Sequence, residues 1–327
     1  GGRREYIGEM RNRLMGMMMG VVLALAETGA SAGEVTADLT DGGIRVKIDG
    51  QVFTEYVGKG AQRPYLYPLV GPSGANLTRP YPMEKGGAED HPHHRSFWFA
   101  HGAVNGVDFW ADGEEHGKQV HLGVSGVEMG EGKVSFVANT VWISAKGEKM
   151  LEDSRRVEVV ALEGGSRQVD FAITLKASQG EVVFGDTKEG TFALRMSPSL
   201  SIEGEGAQGH LVSSKGKKDG AVWGKKAEWV SAFGPDAKGE KVAVTIFDHP
   251  SNLSHPTWWH ARAYGLFAAN PFGKHDFEKL EDKTAGNYTL KAGESVTLTY
   301  RVLIEAGEPD QAKLKAVFEV FSGGEAK

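Results

Sequence analysis

The 327-residue chain contains no cysteine. That absence excludes disulfides, thiolate metal ligands and cysteine nucleophiles, so stability and chemistry must both come from other side chains. An excess of positive charge is missing as well, because 37 Lys and Arg stand against 43 Asp and Glu for a net charge of −6. Nucleic acid is therefore not an expected partner. No apolar stretch reaches the ~20 residues of a spanning helix, so no membrane span is expected in the body of the chain.

The longest apolar run, Leu14 to Ala26, follows Arg11 and Arg13 and precedes Gly29-Ala-Ser-Ala32. Basic, apolar and small residues in that order make a secretory signal. The expectation is a signal peptide over 1–32, cut after Ala32, and a single β-sandwich domain over 33–327. A periplasmic or secreted location follows from it.

What the chain has in abundance is period-two alternation. Ile44-Arg-Val-Lys-Ile48 alternates, Asp49-Gly50 suits a tight hairpin turn, and Val52 and Phe53 resume a strand. The same pattern recurs at Val134/Phe136/Ala138, Val157/Val159/Ala161, Val169/Phe171/Ile173/Leu175, Val242/Val244/Ile246 and Val296/Leu298/Tyr300/Val302. Each such stretch has one face to bury. The 45 glycines fall between these stretches and read as turns. Beyond the leader, helical spacing shows only from Pro309 to Phe321, where Leu314, Val317, Phe318 and Phe321 share a face. The predicted fold is all-β: a large two-sheet sandwich with one C-terminal helix.

Histidine marks the candidate site. His91, His93, His94 and His101 lie within Asp90-His-Pro-His-His-Arg-Ser-Phe-Trp-Phe-Ala-His101. A strand from His93 to His101 would point His93, Arg95 and His101 one way and His94, Ser96 and Trp98 the other. Downstream, Asn105 and Asp108 add an amide and a carboxylate to the candidate substrate-binding residues. A second group, Asp186, Lys188, Glu189 and Arg195, surrounds Gly190. A carboxylate held beside cations stays ionised, which suits a base. The third stretch interleaves His249, Asn252, His255 and His260 with Trp258, Trp259, Arg262 and Tyr264. Rings beside polar donors suit a sugar, whose apolar face packs on an aromatic while its hydroxyls take hydrogen bonds.

These motifs resemble those of an exported bacterial family carried under the label PmoA family, or methane oxygenase. The matching residues are Tyr67-Pro-Leu-Val-Gly-Pro-Ser-Gly74, Thr78-Arg-Pro-Tyr-Pro-Met83, Asp90-His-Pro-His-His-Arg95, Asn105-Gly-Val-Asp-Phe-Trp110, Asp186-Thr-Lys-Glu-Gly190 and Gly265-Leu-Phe-Ala-Ala-Asn-Pro-Phe-Gly273. The likeness runs over about residues 65–275 and implies no catalytic assignment. A second likeness, of architecture and residue type, is to the galactose mutarotase-like sandwiches, which include sugar epimerases and polysaccharide lyases.

The expected activity is acid/base chemistry on a sugar or glycoside by an exported enzyme. In that expectation Glu189 is the base, and His94, His101 or His260 is the acid. Arg95, Lys188 and Arg195 hold oxygen atoms, Trp98 and Trp259 form a ring platform, and Asn105, Asp108 and Asn252 contribute further contacts. No motif specifies a cofactor. The alternatives are a metal enzyme using His91, His93 and a histidine of the second cluster, or a non-catalytic sugar-binding module. The expected partner is a small molecule or glycan.

Overall fold

The computed structural model describes residues 32–84 and 89–323, so the leader expected over 1–32 lies almost wholly outside the described residues. Two eight-stranded antiparallel sheets dominate these residues. The first runs, edge to edge, Val35–Thr40, Gly43–Ile48, Gln51–Val57, Tyr65–Tyr67, Phe97–His101, Gly190–Arg195, Leu266–Asn270 and Trp258–Ala261. The second runs His210–Ser213, Trp229–Pro235, Lys241–Asp248, Ser295–Ala306, Arg167–Lys176, Lys149–Ala161, Lys133–Ile143 and Lys118–Gly130. The all-β sandwich expected from alternation is thus the observed architecture.

Burial follows the period. Val134, Phe136 and Ala138 are buried, as are Val169, Phe171, Ile173 and Leu175, and they meet Phe97, Phe99, Phe192, Leu194 and Trp259 in one core between the sheets. The Asp49-Gly50 turn has both residues at positive φ, 51° and 74°, as a type I′ hairpin requires.

The first sheet also has a second apolar side. Trp98, Ala100, Ala193, Leu266 and Ala268 form a separate buried cluster with Tyr65 and Trp110. Register explains it: Ala193 pairs with Trp98 on one side and Ala268 on the other, and Ala268 pairs with His260. Small alanines across the middle strands leave room above this face. Long loops cover it and carry the polar residues described below.

The C-terminal helix spans Gln311–Phe321, two residues shorter at its start than the sequence predicts. Pro309 lies outside it, and the Asp310 carboxylate accepts from the backbone N–H groups of Ala312 and Lys313. Leu314 is buried against Trp229, Phe247 and Leu303. Asp310→Ala is expected to lower stability by about 1 kcal/mol, measured by urea denaturation; an unchanged midpoint would count against the cap. A five-residue helix, Lys274–Glu278, was not expected, since one turn is too short to show a helical period. Among the described residues, no helix is long and apolar enough to cross a membrane.

Candidate functional site

The strand carrying the first histidine cluster begins only at Phe97. From there the alternation holds: Trp98 and Ala100 face the outer cluster, while Phe97 and Phe99 face the core. His101 follows the core side. It is fully buried against Phe184 and Phe272, and its Nε2 pairs with the Gly185 carbonyl at 2.7 Å. The expected acid His101 is therefore a core histidine on the opposite face from Trp98.

Residues Asp90 to His94 form a loop, and the loop overrides strand parity by bringing His91, His93 and His94 together. His91 stacks on His94 at 4.8 Å with planes 8° apart, and on Tyr264 at 4.6 Å. His93 meets His94 edge-on at 4.6 Å. His91 takes a left-handed φ of 47°, a conformation that needs support in a non-glycine residue.

Buried arginines supply that support. Arg79 donates to the carbonyls of Asp90, His91 and His94, Arg95 to those of Pro92 and His93, and Arg63 to that of His93. Every carbonyl from Asp90 to His94 thus accepts from a guanidinium. Arg63 and Arg95 share the Asp112 carboxylate, each at 2.9 Å. Arg95, expected to hold substrate, is 1% exposed and holds the loop instead. Trp98 is also buried, under His94 at 5.4 Å, and offers no open platform.

Arg195 places the loop's functional face. One Nη of its guanidinium donates to both oxygens of Asp90 at 2.8 and 2.9 Å, and the other meets His94 Nδ1 at 3.1 Å. Burial alone would raise the Asp90 pKa, but the hydrogen bond and charge of Arg195, with Arg79 beside it, bring it below its ordinary value. A guanidinium only donates, so His94 Nδ1 accepts and the neutral ring keeps its proton on Nε2. Burial, then His93 and Arg195, hold His94 far below the ordinary imidazole value. Burial and Arg63 lower His93 to about 4, and His91 is lowered by burial despite Asp90. Near neutral pH the three rings are uncharged.

Each of the three histidines offers a ring nitrogen within 4.8 Å of the others, a spacing that invites a metal. His94 argues against one. A ligating histidine commonly donates its second ring N–H to a carboxylate or carbonyl, whereas here the second nitrogen faces a cation.

The other two sequence groups reach the same place. Glu189, about a third exposed, pairs with Lys188 at 2.5 Å. Its charge acts on both His91 and Tyr264. His260, on the strand Trp258–Ala261, is 2% exposed and close enough to His91 for the two charges to act on each other. Of the second cluster only His260 lies toward this loop; His249 and His255 pack against Phe321 and Phe318 of the C-terminal helix. Burial, then Arg262 and Lys188, lower His260 to about 3. A cleft of 590 Å³ opens alongside, lined by Arg79, Asp90, Arg195 and Tyr264, with Glu203 and Glu205 at its rim.

Four expected contact residues lie elsewhere. Trp259 alternates with His260 and so points into the core, where its indole donates to the Ala227 carbonyl. Asn105 bridges to the Glu181 carbonyl and the Val183 N–H, and Asp108 caps the N–H groups of Trp110 and Ala111. Asn252 is buried between Asp248 and the Thr299 backbone. All three polar groups are spent on backbone or internal partners. Asp90, Arg79, Tyr264 and His91, by contrast, were absent from the expected catalytic set. Asp90 and Tyr264 stood in the quoted histidine-rich stretches, but nothing local marks them as partners of Arg195.

A family model described as "Family of unknown function (DUF6807)" matches residues 43–319. No curated protein matches the chain in sequence. Among solved structures, the chain is similar to galactose 1-epimerase from Lactobacillus acidophilus NCFM, at 9% identity and a TM-score of 0.41, over 84% of this chain and 100% of that one. A GalM/aldose epimerase homologue from C. elegans matches at 9% identity and a TM-score of 0.32, over 85% and 100%. Neither likeness is close enough to carry an argument about the site.

Proposed function

The chain belongs to the DUF6807 family of unknown function, and from its geometry we propose that it is an exported carbohydrate-active enzyme working by His/Glu acid–base catalysis. One observation carries this reading: a loop of neutral imidazoles, fixed by buried guanidiniums, adjoins an open cleft lined by Asp90, Arg195 and Tyr264, and the Glu189 charge acts on its His91. Such an arrangement can move protons near neutral pH without first losing charge to water.

In this reading Glu189 is the base, ion-paired with Lys188. His91 is the exchange partner, since it is the most exposed ring of the trio and is neutral. His94 offers its Nε2–H to a sugar oxygen, and Arg195, locked by Asp90, fixes that tautomer. Tyr264 replaces Trp98 and Trp259 as the aromatic wall. Export rests on the leader over 1–32, a single domain on the span 33–327, and the periplasmic or secreted location on both. The motif likeness to the PmoA-labelled family is part of the same proposal, and no oxygenase chemistry is drawn from it.

The test is a panel of aldoses and glycosides followed by proton NMR for epimer, anomer or cleavage products. Glu189→Gln is expected to lower turnover about 10²–10⁴-fold, as for loss of a general base, with an unchanged unfolding midpoint. Undiminished turnover in that variant would remove Glu189 from the mechanism. Saturable sugar binding with no product in any case would favour a binding module.

A further inference from the structure

His260 is a buried polar group whose ring nitrogens make no hydrogen bond of normal geometry. It is 2% exposed, and the Lys188 backbone lies near enough to favour its protonation. A buried donor and acceptor left open is costly, and such groups are normally satisfied. Arg262 and Lys188 both act on the His260 ring through their charge, and both charges are positive.

Arg262 is uncommitted. It lies over the Trp223 ring at 5.2 Å, and among the described residues no ion pair or hydrogen bond engages its guanidinium. The buried indole N–H of Trp223 also lacks a partner. Lys188, in contrast, is occupied by Glu189, the carboxylate that already serves this corner. The other carboxylates of the site, Asp90, Glu203 and Glu205, line the cleft beside Arg79 and Arg195. One cation, one imidazole and one indole thus converge with no anion assigned to them. Phe277, 6.1 Å from His260 and 5.5 Å from Trp223, supplies an apolar floor.

We propose that this corner is a carboxylate-recognising subsite, in which Arg262 over Trp223 takes the carboxylate of an acidic sugar and His260 hydrogen-bonds the adjoining oxygens. The proposal rests on the carbohydrate reading given above and narrows it to uronic acids. A guanidinium is suited to the role because its planar fork matches a carboxylate in two parallel hydrogen bonds. A neutral imidazole offers one donor and one acceptor, which fits a carboxylate oxygen and a neighbouring hydroxyl together. Binding would then satisfy the groups that the free protein leaves open.

The test compares glucuronate with glucose, its neutral counterpart, by calorimetric titration of the full chain and of Arg262→Met and Arg262→Lys. Native protein is expected to bind glucuronate at least tenfold more tightly than glucose, with the preference shrinking as salt rises. Arg262→Met should bring the two affinities within about threefold, and Arg262→Lys should restore part of the gap. Unfolding midpoints of both variants should stay near the native value, because the guanidinium makes no hydrogen bond in the fold. Equal binding of the two sugars by native protein would overturn the subsite and leave the carbohydrate reading standing. So would a preference that survives in Arg262→Met. Binding of neither sugar would overturn both.

Discussion

Lowering the pH from 7 to 5 is expected to remove about 4–6 kcal/mol of folding stability, on the scale of ~1.4 kcal/mol per proton per pH unit. The groups responsible are His94, His101 and His260, each nearly or fully buried, with the less buried His93 adding to the same trend. Burial is the largest cause in all three, placing His101 at about 4, His260 at about 3 and His94 lower still. An unfolded imidazole titrates near 6.5. Between those values the unfolded chain binds more protons than the folded one, so stability is complete above about pH 6.5 and falls as the pH drops below it. The loss approaches the whole stability of an ordinary domain, about 5–15 kcal/mol.

The lowered carboxylate Asp90 acts outside that window. It contributes stability that disappears only when the pH falls below the ordinary carboxylate range. Asp248, raised by burial, works in the opposite direction and is a single group. Urea denaturation at pH 7, 6 and 5 measures the trend. His260→Gln should reduce the slope by about a quarter, since one of four protons is lost. Constant stability from pH 7 to 5 would show that these rings are not buried neutral.

The second large effect concerns the clamp beneath the histidine loop. Arg63→Met is expected to lower unfolding free energy by about 3–5 kcal/mol, the usual penalty for removing one partner of a buried charged network. Arg63 is 0% exposed and donates to the carbonyls of Phe109, His93 and Ala111 at 3.0, 2.9 and 2.7 Å. Its second tie is to Asp112. Methionine fills much of the volume but leaves the carbonyls of Phe109 and Ala111 without this donor. Arg63→Lys should recover little, because an ammonium on a single stem cannot meet three carbonyls lying in different directions. A loss below ~1 kcal/mol would mean that water or a neighbour replaces the guanidinium. Histidine NMR resonances report the same clamp, and those of His93 and His94 should shift more than that of the distant His210.

Much of the fold was legible because strand parity is a local property. Alternation placed Val169 to Leu175 inward, the Asp49-Gly50 turn followed from its dipeptide, and the tail helix from its apolar spacing. Parity also separates His101 from Trp98, and Trp259 from His260, once the strand is known to start at Phe97 and Trp258. The site was less legible, since its members come from the loop 90–94, the turn before Gly190 and the edge strand at His260. Polar residues in the right stretches, such as Asn105, Asp108 and Asn252, were drawn into turns and buried backbone contacts. Composition cannot separate such uses from substrate contact.

The sequence by itself determined the chemistry at hand: no thiols, a dense set of imidazoles, a Lys-Glu pair and strands with one apolar side. The tertiary structure decided which of these meet and in what protonation state. Arg63 and Arg79 reach carbonyls up to 48 residues away, and Arg195 meets Asp90 across 105. The low proton affinity of His94 comes from burial beside His93 and Arg195, and that of His260 from burial beside Arg262 and Lys188. Desolvation and charge depend on distance in space, which the order of residues along a chain does not contain.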